Sequence, residues 1–241
     1  MVSKFAVIAI LGLTTSAVCM GAAVAIGGRG LGDVLDIELF GDGPRCQAVP
    51  GATATSRDMN WDGSSHAGLA MNAVVNYAPG SGNRVHATGD PQILAHLRVK
   101  DGMIELDCRG WRKRQADVII TLPGRTFEKF ILTGIGKMNL DRLNQDKLKI
   151  EMAGVGTIRA NGKIDDLSID MAGVSSADFG HVTGRKAAVK MAGVNKADIA
   201  PSDDADIEIA GPSEVTLHSN PAHLDTKIAG PGRIHKVGPG S

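Results

Sequence analysis

Residues 150–200 read IEMAGVGTIRANGKIDDLSIDMAGVSSADFGHVTGRKAAVKMAGVNKADIA, and the tetrapeptide MAGV occurs in them three times. Its glycines are Gly154, Gly173 and Gly193, and the same alignment extends to Gly134, Gly211 and Gly230. The intervals are 20, 19, 20, 18 and 19 residues. Before most of these glycines stands alanine (Ala153, Ala172, Ala192, Ala210, Ala229), preceded by Met152, Met171, Met191, Ile209 and Ile228.

The letters around the glycine alternate. Upstream, every second residue is apolar: Leu148 and Ile150, Leu167 and Ile169, Ala187 and Val189, Ala205 and Ile207. Four residues downstream stand Met138, Ile158, Ala177, Ala197, Val215 and Ile234. A period of two is that of a strand, whose side chains point alternately to opposite faces. A larger period near 19 that encloses it identifies a solenoid of short strands. At about 3.3 Å per residue, 19 residues trace a loop about 60 Å around, with loops stacked about 4.8 Å apart. The expected fold is therefore all-β, a single-stranded parallel β-helix with coils of about 19–20 residues. In each MAGV an inward Met, a cramped Ala, a turning Gly and an inward Val are expected at a corner. One residue before each Met position, Glu151, Asp170, Lys190, Glu208 and Lys227 form an outward ladder whose signs alternate from Asp170 on.

Outside the repeats, the chain changes character twice. Residues 5–26 are almost unbroken apolar sequence behind Lys4, and Ala23–Ala25 carries a small-x-small pattern. Residues 1–25 are read as a signal peptide, with an uncleaved N-terminal membrane anchor as the alternative. Either places the domain outside the cytoplasm: periplasm, outer membrane or cell surface, or anchored at the inner membrane if uncleaved. Residues 26–60, rich in Gly, Asp, Ser and Pro, read as a linker and first turns. The domain proper spans 61–237, with clear repeats over 130–237. Lys100–Gly102 (KDG) separates two alternating runs and reads as a hairpin turn.

Composition removes several functions. The 26 basic and 26 acidic residues cancel, so no net field recruits nucleic acid. Aromatics are only 3% of the chain, too few for a surface that stacks bases. Without residues 1–25, two cysteines remain, Cys46 and Cys108, which in an oxidising compartment read first as a disulfide, with free thiols as the alternative. There is no CxxC, HExxH or GxSxG, so zinc and nucleophilic chemistry have no motif and no cofactor is expected.

A polysaccharide lyase or hydrolase would need paired carboxylates on one outer face. Asp178 and Asp198 share a ladder position in adjacent coils, with Arg159 one coil earlier. A solvated charged face is the preferred reading, since Asn139 and Thr216 continue the ladder without further acids. The acidic run Ser202–Asp206 offers oxygen ligands for Ca²⁺ but lacks the spacing of a calcium loop. Trp61 and Trp111 bracket the non-repetitive part and suit the capping of the first open edge.

The element LTGIGKMNL (132–140), the recurrent AGVG or AGPG coils and the segment VHATGDPQILAHLRVKDGMIELD (85–107) resemble the head GIN domain family, described as "putative auto-transporter adhesin". The resemblance covers about Trp61 to Val237. It implies a parallel β-helix that is exported or attached to the envelope, and it brings no catalytic residues. The function expected is a non-enzymatic adhesion or interaction scaffold, with an envelope protein or a glycan as partner. A polysaccharide-active enzyme and an envelope structural or stress-related component are the alternatives.

Overall fold

The computed structural model describes residues 44–108 and 118–237. The N-terminal segment before residue 44 and Trp111 therefore lie outside the described residues. Arg45–Ser241 forms one compact unit, and its described residues are all-β apart from a single helical turn. The elements are β1 (Ser56–Asn60), β2 (His66–Leu69), β3 (Ala73–Tyr77), β4 (Arg84–Thr88), α1 (Pro91–Ala95), β5 (Leu97–Lys100), β6 (Met103–Leu106) and β7 (Ile119–Thr121). There follow β8 (Lys129–Ile199), β9 (Pro201–Ala210), β10 (Glu214–Leu217), β11 (His223–Ala229) and β12 (Arg233–Lys236).

From residue 129 the pairing is parallel and stepped by one repeat. Ala187 lies beside Ala205, Ala205 beside Leu224, Val215 beside Ala197 and beside Ile234. Within the long extended run β8, Ser175 Oγ donates to Gly154 O at 3.3 Å and Asn161 Nδ2 to Asp141 Oδ1 at 2.7 Å, again one repeat apart. Leu148, Ile150 and Met152, and their counterparts Leu167, Ile169 and Met171, or Ala187, Val189 and Met191, are all 5% exposed or less. Beyond the corner, Ile158, Ala177, Phe179, Ala197, Ile199, Val215 and Leu217 are wholly buried. Alternation therefore places every second residue in one apolar column running through the repeats.

The glycine corner is the tightest point. Gly173 has φ +111°, a conformation that L side chains rarely adopt, and a Cβ on it would collide with the Gly154 carbonyl oxygen of the preceding coil. Gly154 stands in the same relation to Gly134. At Gly134 itself, with φ +91°, a Cβ would meet nothing within 4 Å.

Two features depart from the expected corner. The valine after each glycine points out: Ile135, Val155, Val174 and Val194 are 51–59% exposed, and the alanine before it is exposed too. The period of two runs unbroken through the glycine, so the valine falls on the outward parity, opposite to Met171 and Ala177, and its apolar character alone suggests the core. The next residue turns inward instead. Ser175, Asn195 and Ser213 are buried in a polar ladder. Asn195 Oδ1 accepts from Ser175 N at 3.1 Å, and Ser213 Oγ accepts from Asn195 N at 3.0 Å while donating to Gly193 O at 2.8 Å. Each side chain thus satisfies backbone groups that the corner takes out of the regular ladder.

The sheet as a whole is mixed, not purely parallel. β2 and β3 lie parallel to residues 129–140 of β8, and β6 and β7 lie parallel on the far side of β2 and β3. The spatial order is thus β6/β7, β2/β3, β8, which exchanges the first two pairs relative to their order along the chain. Outside this, β4 pairs antiparallel with β7, β1 antiparallel with β4, and β5 antiparallel with β6 through the Lys100–Met103 turn. The turn residues Asp101 and Gly102 have φ of 49° and 71°, the left-handed pair that a two-residue hairpin needs. A parallel coil would leave an edge and an open core at this end; reversed strands and α1, with Ile93 and Leu94 buried, cover it. Trp61, Tyr77, Phe127 and Phe130 pack edge-to-face beneath this cover, with ring centroids 5.2–5.6 Å apart. Cys46 and Cys108 are joined by a disulfide, Cα–Cα 4.8 Å, which ties the entering chain to the end of the β6 segment. No helix among the described residues is long and apolar enough to cross a membrane.

Candidate interaction surface

The outward side chains sort into three stripes along the repeats. The first is apolar. Ile135, Val155, Val174 and Val194 follow one another at the glycine corner, and exposed Pro212 and Pro231 continue the line. At about 4.8 Å per coil the six positions span about 24 Å. Exposed Ala153, Ala172, Ala192 and Ala210 flank them, so the ridge is narrow, aliphatic and free of charge. Exposed aliphatics lined up in this way differ from the singly scattered ones of an ordinary surface.

The second stripe is the charged ladder. Glu208 bonds Lys227 at 3.0 Å and Lys190 at 3.5 Å. The like-charged neighbours Glu151 and Asp170 are bridged by Lys149, at 2.8 and 3.1 Å, and Lys129 approaches Glu151 at 3.4 Å. The hydrogen bond that Lys149 donates to Glu151, joined by the one it donates to Asp170, holds its ammonium above its ordinary pKa despite partial burial. Burial pushes the Glu151 carboxyl up, but Lys149 and Lys129 together outweigh it and hold the group below its usual range. Lys149 lies two residues outside the sequence ladder, which is why inspection of Glu151 and Asp170 alone shows only repulsion.

The third stripe holds the weak sequence candidates. Arg159 Nε lies 4.0 Å from Asp178 Oδ2, and both side chains are exposed. Asp198 instead accepts from His218 Nε2 at 3.1 Å and lies 3.8 Å from Lys196 Nζ. The His218 ring packs over Gly180, where even a methyl group would crowd it. The two carboxylates are therefore each engaged by different side chains, rather than aimed jointly at one point. Sequence spacing does not reveal His218 as a member, because it comes from the next coil but two positions further on. In the acidic run, Lys186 closes on Asp204 at 2.7 Å, which lowers the pKa of that carboxyl and occupies one of the run's oxygen ligands. His96, Asp107 and Cys108 are the one grouping of metal-ligand types among the described residues, but Cys108 is consumed by the disulfide.

Such a geometry defines an all-β protein built on a mixed sheet, with a regular, charge-paired outer face. The chain belongs to the family described as "Putative auto-transporter adhesin, head GIN domain", whose model matches residues 68–221. Among solved structures it is similar to a putative adhesin from Bacteroides fragilis, at 17% identity and a TM-score of 0.59, over 82% of this chain and 100% of that one. It also matches a putative lipid binding protein from Parabacteroides distasonis (15% identity, TM-score 0.43, 76% and 96% covered) and a putative adhesin from Parabacteroides merdae (15%, 0.42, 76% and 95%). No curated protein matches it.

Proposed function

We propose that this chain is an exported, non-enzymatic interaction scaffold: a β-solenoid of parallel coils of 18–20 residues that presents its aliphatic ridge to an envelope protein or a glycan. The observation that carries the reading is the ridge itself. Ile135, Val155, Val174 and Val194 remain about half exposed although each could be polar without disturbing the core. The stepped parallel registers and the stacked glycines support the coil geometry, and residues 1–25 support export. Docking along the ridge would remove several apolar side chains from water at roughly 25 cal/mol per Å².

The test replaces Val155, Val174 and Val194 by Asp in the full chain and measures attachment to cells and to a glycan array. Attachment should fall at least about tenfold, because each desolvated carboxylate opposes docking, while circular dichroism stays unchanged. Undiminished attachment would remove the ridge from the reading.

A second reading, an enzyme acting on acidic polysaccharide, is favoured only by the Arg159–Asp178 and His218–Asp198 pairs on one face. Turnover of uronic-acid polymers that disappears in Asp178→Ala or Asp198→Ala would establish it. The non-enzymatic reading expects no turnover of any polymer in the panel.

A further inference from the structure

The two ends of the stack are finished differently. Among the described residues, the end at α1 and β1 is covered, with Ile93 and Leu94 buried, whereas nothing covers the end at β11 and β12. β11 pairs only with β9, and β12 only with β10, among the described residues. Leu224, Thr226, Ile228 and Ile234 occupy the inward positions that Ala205, Ile207, Ile209 and Val215 hold one coil earlier. Those predecessors are buried; Ile228 is 45% exposed, and Thr226 is exposed beside it. The end face is a shallow apolar concavity of about 620 Å³ bordered by an unpaired strand.

An unpaired strand with apolar inward residues is a template for another strand. The sequence of β11, His-Leu-Asp-Thr-Lys-Ile-Ala, is complementary to its own reverse. If two copies pair antiparallel about Thr226, Leu224 faces Ile228 of the second copy, Asp225 faces its Lys227 and Thr226 faces its Thr226. By symmetry every pair except the central one occurs twice. Leu224, Thr226 and Ile228 lie on the inner face and Asp225 and Lys227 on the outer, so both matches are made on the correct side of the sheet. Within one chain, Asp225 stands beside Asp206, a like-charged neighbour, and across the seam it meets a lysine. β12 lacks this property, because centring it on Ile234 sets Arg233 against His235.

We propose that β11 is a seam through which two copies of this chain join end to end, continuing both apolar columns across a two-fold axis. Such a two-fold contact uses the same strand of each copy, so pairing occupies both β11 edges and the assembly closes at two copies. The seam uses the open end of the stack and is independent of the ridge.

The test is cysteine cross-linking of the full chain in its native envelope, on a Cys19→Ser background. Thr226→Cys places two thiols on directly opposed residues, within the Cα spacing a disulfide accepts. Mild oxidation should shift most of the Thr226→Cys chain to twice its mass on a non-reducing gel. Leu224→Cys and Ile228→Cys should each stay monomeric alone and cross-link when mixed. Adding Asp225→Lys, which sets lysine against lysine twice, should reduce the Thr226→Cys cross-link by roughly a factor of ten. Arg233→Cys, on the same open end, is the control for random collision. A Thr226→Cys cross-link no stronger than that of Arg233→Cys would overturn the seam. So would a cross-link to a protein of different mass, which would assign the end face to another partner.

Discussion

Gly134 and Gly173 offer a matched pair of substitutions at one corner. Both sit at left-handed φ, +91° and +111°, so alanine at either carries the backbone strain of that region, about 1–3 kcal/mol. They differ in what lies beneath. At Gly134 a methyl group meets nothing within 4 Å, whereas at Gly173 it drives into the Gly154 carbonyl oxygen. That neighbour is main chain held in a ladder and cannot swing aside, so the coils must separate locally. Overpacking of this kind costs typically 1–3 kcal/mol more. Gly134→Ala should thus lose about 1–3 kcal/mol and Gly173→Ala about 2–6, set against a total stability of about 5–15 for an ordinary domain. Urea unfolding followed by circular dichroism reads the difference, provided the slope with urea is the same in both variants. Equal losses would refute the idea that close coil-to-coil approach, and not φ alone, makes glycine necessary at the repeat.

Further expectations follow from the buried ladder, the charges and the disulfide. Asn195→Ala removes the acceptor for Ser175 N and a side chain that donates to Ala192 O at 3.0 Å, and should cost about 1–3 kcal/mol in the same unfolding assay. On the acid side, Asp62 and Glu151 have pKa values held below their ordinary 3.8 and 4.5, so their contribution is present above those values and lost as pH falls through the lowered ones. For Asp62, burial pushes the group up, and hydrogen bonds from Gly102 N and Ser64 outweigh it. Lys149 shifts the other way: its contribution is complete below 10.5 and fades as pH rises through its raised value. The melting temperature should therefore be flat between about pH 5 and 10 and fall on both sides, with a shallower acid limb in Glu151→Gln; an unchanged limb would remove Glu151 from the explanation. Reducing the Cys46–Cys108 bridge, which spans 62 residues of sequence, should cost about 4 kcal/mol on the chain-entropy relation. Loss confined to the covered end, seen as faster amide exchange in α1 and β1, would accompany it.

The repeats are legible in the sequence because their contacts are local in period: each inward residue lies near one 18–20 residues away, and the same letters recur. All-β architecture follows from that alternation. The cover at the first end is illegible for the opposite reason. β2 must find β6 and β8 across intervening β3, β4, α1 and β5, so no window of sequence holds both partners. The mixed sheet arises there, since reversed strands close an end that parallel coils leave open. At the corner, the hydrophobicity of Val155, Val174 and Val194 misleads, because their place in the alternation is outward although their side chains are apolar. The ridge and the polar ladder of Ser175, Asn195 and Ser213 keep the faces that a period of two assigns to them and exchange only the polarity usual for those faces. Among the site candidates, Arg159 and Asp178 meet as their spacing allows, whereas His218 enters through a coil geometry that spacing alone does not describe.

The stacking of successive corners into one ridge can be measured directly with spin labels. Cysteines at Val155, Val174 and Val194, on a Cys19→Ser background, would carry nitroxides on exposed positions of three successive coils, about 4.8 Å apart. Parallel stacking in this register predicts an exchange-narrowed electron paramagnetic resonance spectrum for the triple label, with ordinary three-line spectra for each single label. A triple-label spectrum equal to the sum of the three singles would contradict the stack and the ridge built on it.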